Sequence, residues 1–253
     1  MRILVCVKQV PDTTEVKLSS EYTLQRDFVA QVMNPADESA LEKALALRDQ
    51  HGGTVTVMTM GPARAESMLR EAITRGADEA IHLTDSAFAG ADTLVTAKCL
   101  QAASEMGEGF DLILCGRRAV DGETGQVGPM VAALLDVPCV PNATDVRLEN
   151  NALVIDQLTE AGVITWQACF PAVITFCEWS HHLRLPTLMG MRRARNAQIR
   201  RVTAQELGIK ETGLKASPTR VVRIHSRPVG VRPCQKLPVD EVLAALVHKE
   251  VLP

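Results

Sequence analysis

Four times in its first 135 residues the chain sets a short apolar run ahead of a stretch with helical spacing. The run at 3–7 is apolar almost throughout, and 54–59, 80–83 and 111–115 read as a second, third and fourth strand. A strand covered on both faces reads this way, whereas a strand with one wet face alternates. Asn34 and Pro35 open the first helical stretch: Asn suits an N-cap, Pro the first helical position, and Asp37 and Glu38 the positive first turn. Leu41, Ala44, Leu45 and Arg48 follow at three- and four-residue steps until Gly52 and Gly53 stop the helix. A second helix opens at Gly61 and Pro62, turns Met68, Leu69, Ala72 and Ile73 to one side and ends at Gly76. A third covers 92–105 and a fourth 125–135. Alternation of this kind predicts an α/β fold, a mostly parallel sheet with right-handed crossovers and helices on both faces.

The pattern changes after Pro138. Residues 146–148, 152–157 and 163–168 alternate apolar and polar, separated by Glu149, Asn150, Asn151 and by Glu160, Ala161, Gly162. They predict an antiparallel meander added to the sheet. Residues 171–176 read as one more buried strand, and 16–18 with 23–24 as a small hairpin. From Arg184 to Arg201 six arginines occur without an acid, and the Thr203 to Glu206 spacing suits a capping box. Beyond that, prolines punctuate the chain until a helical pattern at 239–250. The expected organisation is an α/β domain over 1–201 and an arm over 202–253 that needs a surface to lie on.

Composition removes several classes. A chain of 253 residues holds one to two domains. Aromatic residues make up 3%, too few for a base-stacking platform, and a net charge of −3 gives no general attraction to nucleic acid. No apolar run reaches the roughly 18 residues of a spanning helix, and the run after Met1 is too short for a signal peptide. Cys6, Cys99, Cys115, Cys139, Cys169, Cys177 and Cys234 are odd in number, widely spaced and free of any CxxC pair. They read as free thiols in a reducing, cytoplasmic setting rather than a zinc site or disulfide frame.

In a parallel α/β sheet, ligands sit beyond the carboxyl ends of the strands. Four segments fall there: 6–12, 58–62, 83–93 and 116–127. The last reads Gly116, Arg117, Arg118, Ala119, Val120, Asp121, Gly122, Glu123, Thr124, Gly125, Gln126, Val127 ahead of the fourth helix. Small residues let backbone N–H groups approach a phosphate, and a helix N-terminus favours negative charge. A ligand-free glycine-rich loop has the same composition. The segment is neither a Walker loop nor a Rossmann fingerprint, and no nucleophile–base–orienter set is visible. His181 and His182 are adjacent and point oppositely on an extended chain, which disfavours a shared metal.

Taken in order, these stretches resemble the β subunit of electron-transfer flavoproteins, the family that includes the FixA-type subunits. Five carry the likeness: Val7 to Asp12; Asn34, Pro35, Ala36, Asp37, Glu38 leading to Leu41 and Glu42; Met60, Gly61, Pro62; Phe88, Ala89, Gly90, Ala91, Asp92, Thr93; and Asp111 to Gly116 continuing to Pro129. Residues 171–175 also fit. The resemblance implies a heterodimer with a larger α subunit that carries FAD. It also implies a nucleotide pocket here, holding FAD as in electron-bifurcating members or AMP as in the others. The implied pocket involves Cys6, Asn34 to Asp37, Met60, Asp92, Thr93 and the 116–127 loop. Electrons would pass by way of flavin from a donor such as NADH to an acyl-CoA dehydrogenase-like or quinone-linked partner. Family members usually carry Asn-x-Pro-Arg in their docking loop. Only Arg184 is kept here, beside Leu183, and the two are the expected docking residues. The rival expectation is a non-redox adenine-nucleotide-binding α/β module.

Overall fold

The computed structural model describes residues 1–12, 30–222 and 236–248. The hairpin expected at 16–18 and 23–24 lies outside them. A central sheet of nine strands runs in the order β11, β5, β4, β1, β6, β10, β7, β8, β9. Its parallel part comprises β1 (Arg2–Cys6), β4 (Thr54–Met60), β5 (Glu79–Leu83), β6 (Leu112–Gly116), β10 (Ala172–Phe176) and β11 (Arg200–Val202), with β7 (Cys139–Glu149) parallel to β10. The meander is present: β8 (Ala152–Thr159) and β9 (Gly162–Ala168) pair antiparallel beyond β7. A separate two-stranded sheet joins β2 (Gln9–Pro11) to β3 (Gln31–Met33).

The apolar runs are double-faced for the reason anticipated. Ile3, Val5, Val55, Val57, Leu112 and Leu114 pack with α1 (Pro35–His51) and α2 (Glu66–Arg75) in one core. Leu4, Met58, Ile81, Ile113 and Val173 pack with α3 (Thr93–Ser104) and α4 (Val127–Leu135) in the other. Side chains alternate across a strand, so both parities must be apolar when both faces are covered.

The arginine-rich stretch folds into more than a surface. It forms α5 (Leu188–Asn196), capped where Thr187 accepts from Gly190 N, and then β11, which extends the sheet beside β5. Thr203 and Glu206 exchange the reciprocal bonds of a capping box, around a single turn rather than a helix. Past α6 (Gly213–Ala216), the first compact unit ends at Arg220 and a second covers Val221–Pro253. Residues 202–220, assigned to the arm on sequence grounds, therefore pack with the first unit; Val202 and Ala204 are buried in its core. The second unit holds α7 (Val239–His248), with Val239, Val242, Leu243, Leu246 and Val247 at helical spacing.

Candidate functional site

The chain leaves β1 toward β4 on one side and comes back to β6 on the other. The connections after these neighbouring strands diverge and leave a crevice at their carboxyl ends, the place where open α/β sheets take ligands. The segments following Cys6 and Gly116 both open there.

The N-terminus of α1 ties the two segments together. Asn34 is in N-cap position, but its side chain does not cap the helix. Its Oδ1 accepts from Val120 N at 3.1 Å, and its Nδ2 donates to Arg118 O at 2.9 Å and to Asp37 Oδ1 at 3.1 Å. Asp37 Oδ1 also accepts from Gly116 N at 3.0 Å, and Oδ2 accepts from Lys8 N at 2.7 Å. Burial pushes the Asp37 carboxyl up to about 7, against the bonds from Asn34, Lys8 and Gly116 and the charge of Lys8, which lower it. Gly116 has to be glycine, because a Cβ there would run into Asp37 and Ala36.

Beyond Gly116 the loop turns tightly: Ala119 O accepts from Gly122 N and Glu123 N. Asp121 is fastened by Lys8 Nζ at 2.6 Å. Glu178 pairs with both arginines: Arg117 Nε lies 2.6 Å from it, and Arg118 Nε donates to it at 3.1 Å. Burial raises the Glu178 carboxyl, yet the bonds from its own backbone N–H and from the two guanidinium groups outweigh this and hold it below its usual range. Residues 122–126 lie exposed, with open space where a Gly122 side chain would be and Gly125 at φ +63°. α4 then begins at Val127, two residues later than the spacing suggested, with no side-chain cap. Gln126, its N-cap, instead accepts from Thr93 Oγ1 at 2.9 Å. Uncapped amides, open glycines and paired guanidinium groups form a donor set that suits a phosphate group.

The remaining expected residues are placed as follows. Cys6 lies level with Cys115 on the neighbouring strand. The hydrogen bond between these thiols, and then burial, pushes the Cys115 thiol up. Met60 ends β4 and packs against the core of the α3 and α4 face. Pro35 occupies the first turn of α1, and Ala36 is fully buried behind it. Asp92 caps α3 by accepting from Val95 N, and its other oxygen accepts from Thr219 N and Oγ1. Leu183 packs against the core. Arg184 is engaged internally: Nε and Nη2 bond Glu42, and Nη1 bonds Asp49 at 2.7 Å. The exposed apolar side chains of this stretch are instead Leu185, Leu188, Met189 and Met191.

Glu178 was missed by sequence reasoning. It follows β10, and only the pairing of Phe176 with Gly116 brings it beside the two arginines. Its one local signal is an acid at the carboxyl end of a buried strand.

Known proteins are similar to this chain in sequence. Residues 22–207 match the electron transfer flavoprotein domain. The electron transfer flavoprotein subunit beta of Thermoanaerobacterium thermosaccharolyticum is 44% identical over 226 residues, covering 88% of this chain and 86% of the relative. Protein FixA of Sinorhizobium fredii is 41% identical over 235 residues, 88% of this chain and 82% of the relative. The caffeyl-CoA reductase-Etf complex subunit CarD of Acetobacterium woodii is 40% identical over 255 residues, 98% of this chain and 97% of the relative. The chain belongs to the electron transfer flavoprotein family, with its β subunits and FixA proteins.

Proposed function

We propose that this chain is the nucleotide-holding subunit of a cytoplasmic heterodimeric electron carrier, with FAD in the β1/β6 crevice and AMP as the alternative occupant. The observation that carries this reading is the exposed 122–126 loop running into the uncapped α4, with Arg117 and Arg118 held beside it by Glu178. Bound flavin would supply one- and two-electron chemistry; the protein supplies binding, orientation and charge. Gly122 to Val127 would receive the phosphates on backbone N–H groups, and the arginines would balance their charge. Cys6, Met60 and Thr93 would line the crevice. The partner is an α subunit carrying a further FAD. β9 supports this, since it is exposed on both faces from Gly162 to Gln167 and offers Val163, Ile164 and Trp166 at the sheet edge. The apolar stripe of α7 supports a resting place for that helix on the partner.

The donor is NADH, with flavin-based bifurcation within the complex. The acceptor is an acyl-CoA dehydrogenase-like or quinone-linked protein, a reading supported by the CarD relative, a subunit of a caffeyl-CoA reductase-Etf complex. Docking would use Leu185, Leu188 and Met189 beside Arg192 and Arg195, with Leu183 and Arg184 supporting that stretch from beneath. The test is to co-express the chain with its α-type partner, denature the purified complex and identify the released nucleotides. Two FAD per heterodimer is the expected result, and one FAD with one AMP selects the alternative. Gly125→Val should empty the pocket of this subunit, because a β-branched residue is strained at this φ and blocks close approach. Full nucleotide content in that variant would overturn the loop assignment.

A further inference from the structure

We propose that Cys6 and Cys115 form a reversible dithiol–disulfide switch at the strand ends beneath the crevice, closed by a hydroperoxide and weakening nucleotide binding when closed. The bridge stands on the arrangement of the thiols. Its effect on binding rests on the reading that the nucleotide lies on the 116–127 loop.

Cys6 ends β1, and its register partner on β6 is Cys115. Neighbouring strands lie about 4.8 Å apart, inside the roughly 4.4–6.8 Å that a disulfide spans between Cα atoms. Both side chains turn to the α3 and α4 face, and their thiols are hydrogen-bonded to each other. Cys139 reaches the same face, but β10 separates its strand from β6. Two strand spacings, about 9.6 Å, exceed the reach of a disulfide. Access differs within the pair: Cys6 is half-buried and Cys115 is buried. Cys6 is therefore the sulfur that an oxidant reaches, and Cys115 resolves it.

The hydroperoxide passes one oxygen atom to Cys6 Sγ; its O–O bond breaks, water or an alcohol leaves, and Cys6 becomes a sulfenic acid. Cys115 Sγ then attacks Cys6 Sγ. The S–S bond forms, the S–O bond breaks, and the hydroxyl leaves with the Cys115 proton as water. The two thiols lose two electrons and two protons, and a dithiol reductant reverses the change. A bridge draws the two Cβ atoms closer than the strand spacing, to about 3.8 Å, so the strand ends must shift. Strained bridges of this kind are the labile, regulatory ones. The shift has two routes into the crevice. Gly116 follows Cys115 directly and is packed against Asp37 and Ala36. Cys115 Sγ also lies under the first turn of α4, 3.6 Å from where a Cβ on Gly128 would be. By linkage, a nucleotide that prefers the dithiol form opposes the bridge by the same factor by which the bridge weakens the nucleotide.

The test treats the purified complex with one equivalent of hydrogen peroxide, alkylates it and digests it without reductant. Mass spectrometry should find the Cys6 peptide joined to the Cys115 peptide, two hydrogens lighter than their sum, and separated again by dithiothreitol. Cys139→Ser should give the same product. Cys115→Ser should leave a sulfenic acid at Cys6, trapped by dimedone. Added AMP or FAD should bind the bridged complex about tenfold more weakly than the same sample after reduction. In glutathione buffers, the nucleotide should shift the thiol–disulfide equilibrium about tenfold toward the dithiol. Absence of the Cys6–Cys115 product, or a bridge to Cys139 in its place, would overturn the switch. A bridge that changes neither affinity nor redox equilibrium would overturn its control of binding. If Gly125→Val keeps its nucleotide, the loop assignment fails, while the joined peptide still decides the bridge.

Discussion

Asp37 carries a carboxyl whose burial raises it from 3.8 to about 7, and this has a thermodynamic consequence. A carboxyl raised in the folded state binds more protons there than in the unfolded chain between those two values. Its contribution to stability is full below pH ~4 and is lost as pH rises through ~7. Asn at this position cannot titrate. Urea unfolding at pH 4.5 and 7.5 should show the parent protein losing stability relative to Asp37→Asn as pH rises, by no more than about 4 kcal/mol. A difference that does not change with pH would show that burial has not raised this carboxyl. Arg184 gives a second case. Its guanidinium is held by Glu42 and Asp49, and these bonds lift it above the usual arginine range. The group is about one-third exposed, so solvent screening keeps the gain small. Arg184→Ala should cost about 1–2 kcal/mol in unfolding experiments and leave nucleotide content intact. Arg184 thus anchors its loop from within, and the proposed docking would use its exposed neighbours instead.

At the scale of elements, α5 sits on α2 through a close approach at Gly190, where an added Cβ would meet the carbonyl of Thr74. Thr187 N also donates to that carbonyl, at 3.1 Å. Gly190→Ala should force α5 away and lower stability by about 1–3 kcal/mol, seen as a reduced Tm with normal bound nucleotide. The same helix presents Leu188 and Met189, with Leu185 just ahead of it, next to arginines. An apolar anchor ringed by charge gives a transient interface both affinity and steering. Leu188→Ala should slow electron transfer at subsaturating acceptor with flavin content unchanged. Arg192→Ala should flatten the dependence of that rate on salt. An unaltered rate and salt slope in the double variant would place docking elsewhere.

For the whole molecule, the proposed partner would cover the edge strand β9, exposed on both faces, and the apolar stripe of α7. Expressed alone, the chain should aggregate or lose α7 to protease; with the proposed α subunit it should elute as a 1:1 complex. A monodisperse, protease-resistant lone chain would refute the proposed dependence. Local periodicity alone was enough to read the parallel core, the meander and the glycine-rich loop at a strand's carboxyl end, because apolar parity and turn residues act within a few positions. The same local rules misjudged Asn34, whose side chain serves Val120 and Arg118 instead of the helix it precedes. They left the arginine-rich stretch without its helix and edge strand, and could not pair Glu178 with Arg118 or Glu42 with Arg184, partners 60 and 142 residues apart. Those pairings depend on β10 inserting between β6 and β7 and on residues 177–184 passing over α1. Strand order is chosen by how the two helical layers bury their faces. That is a property of the packed chain, so only the tertiary structure decided which charges brace the crevice and which remain free to meet a partner.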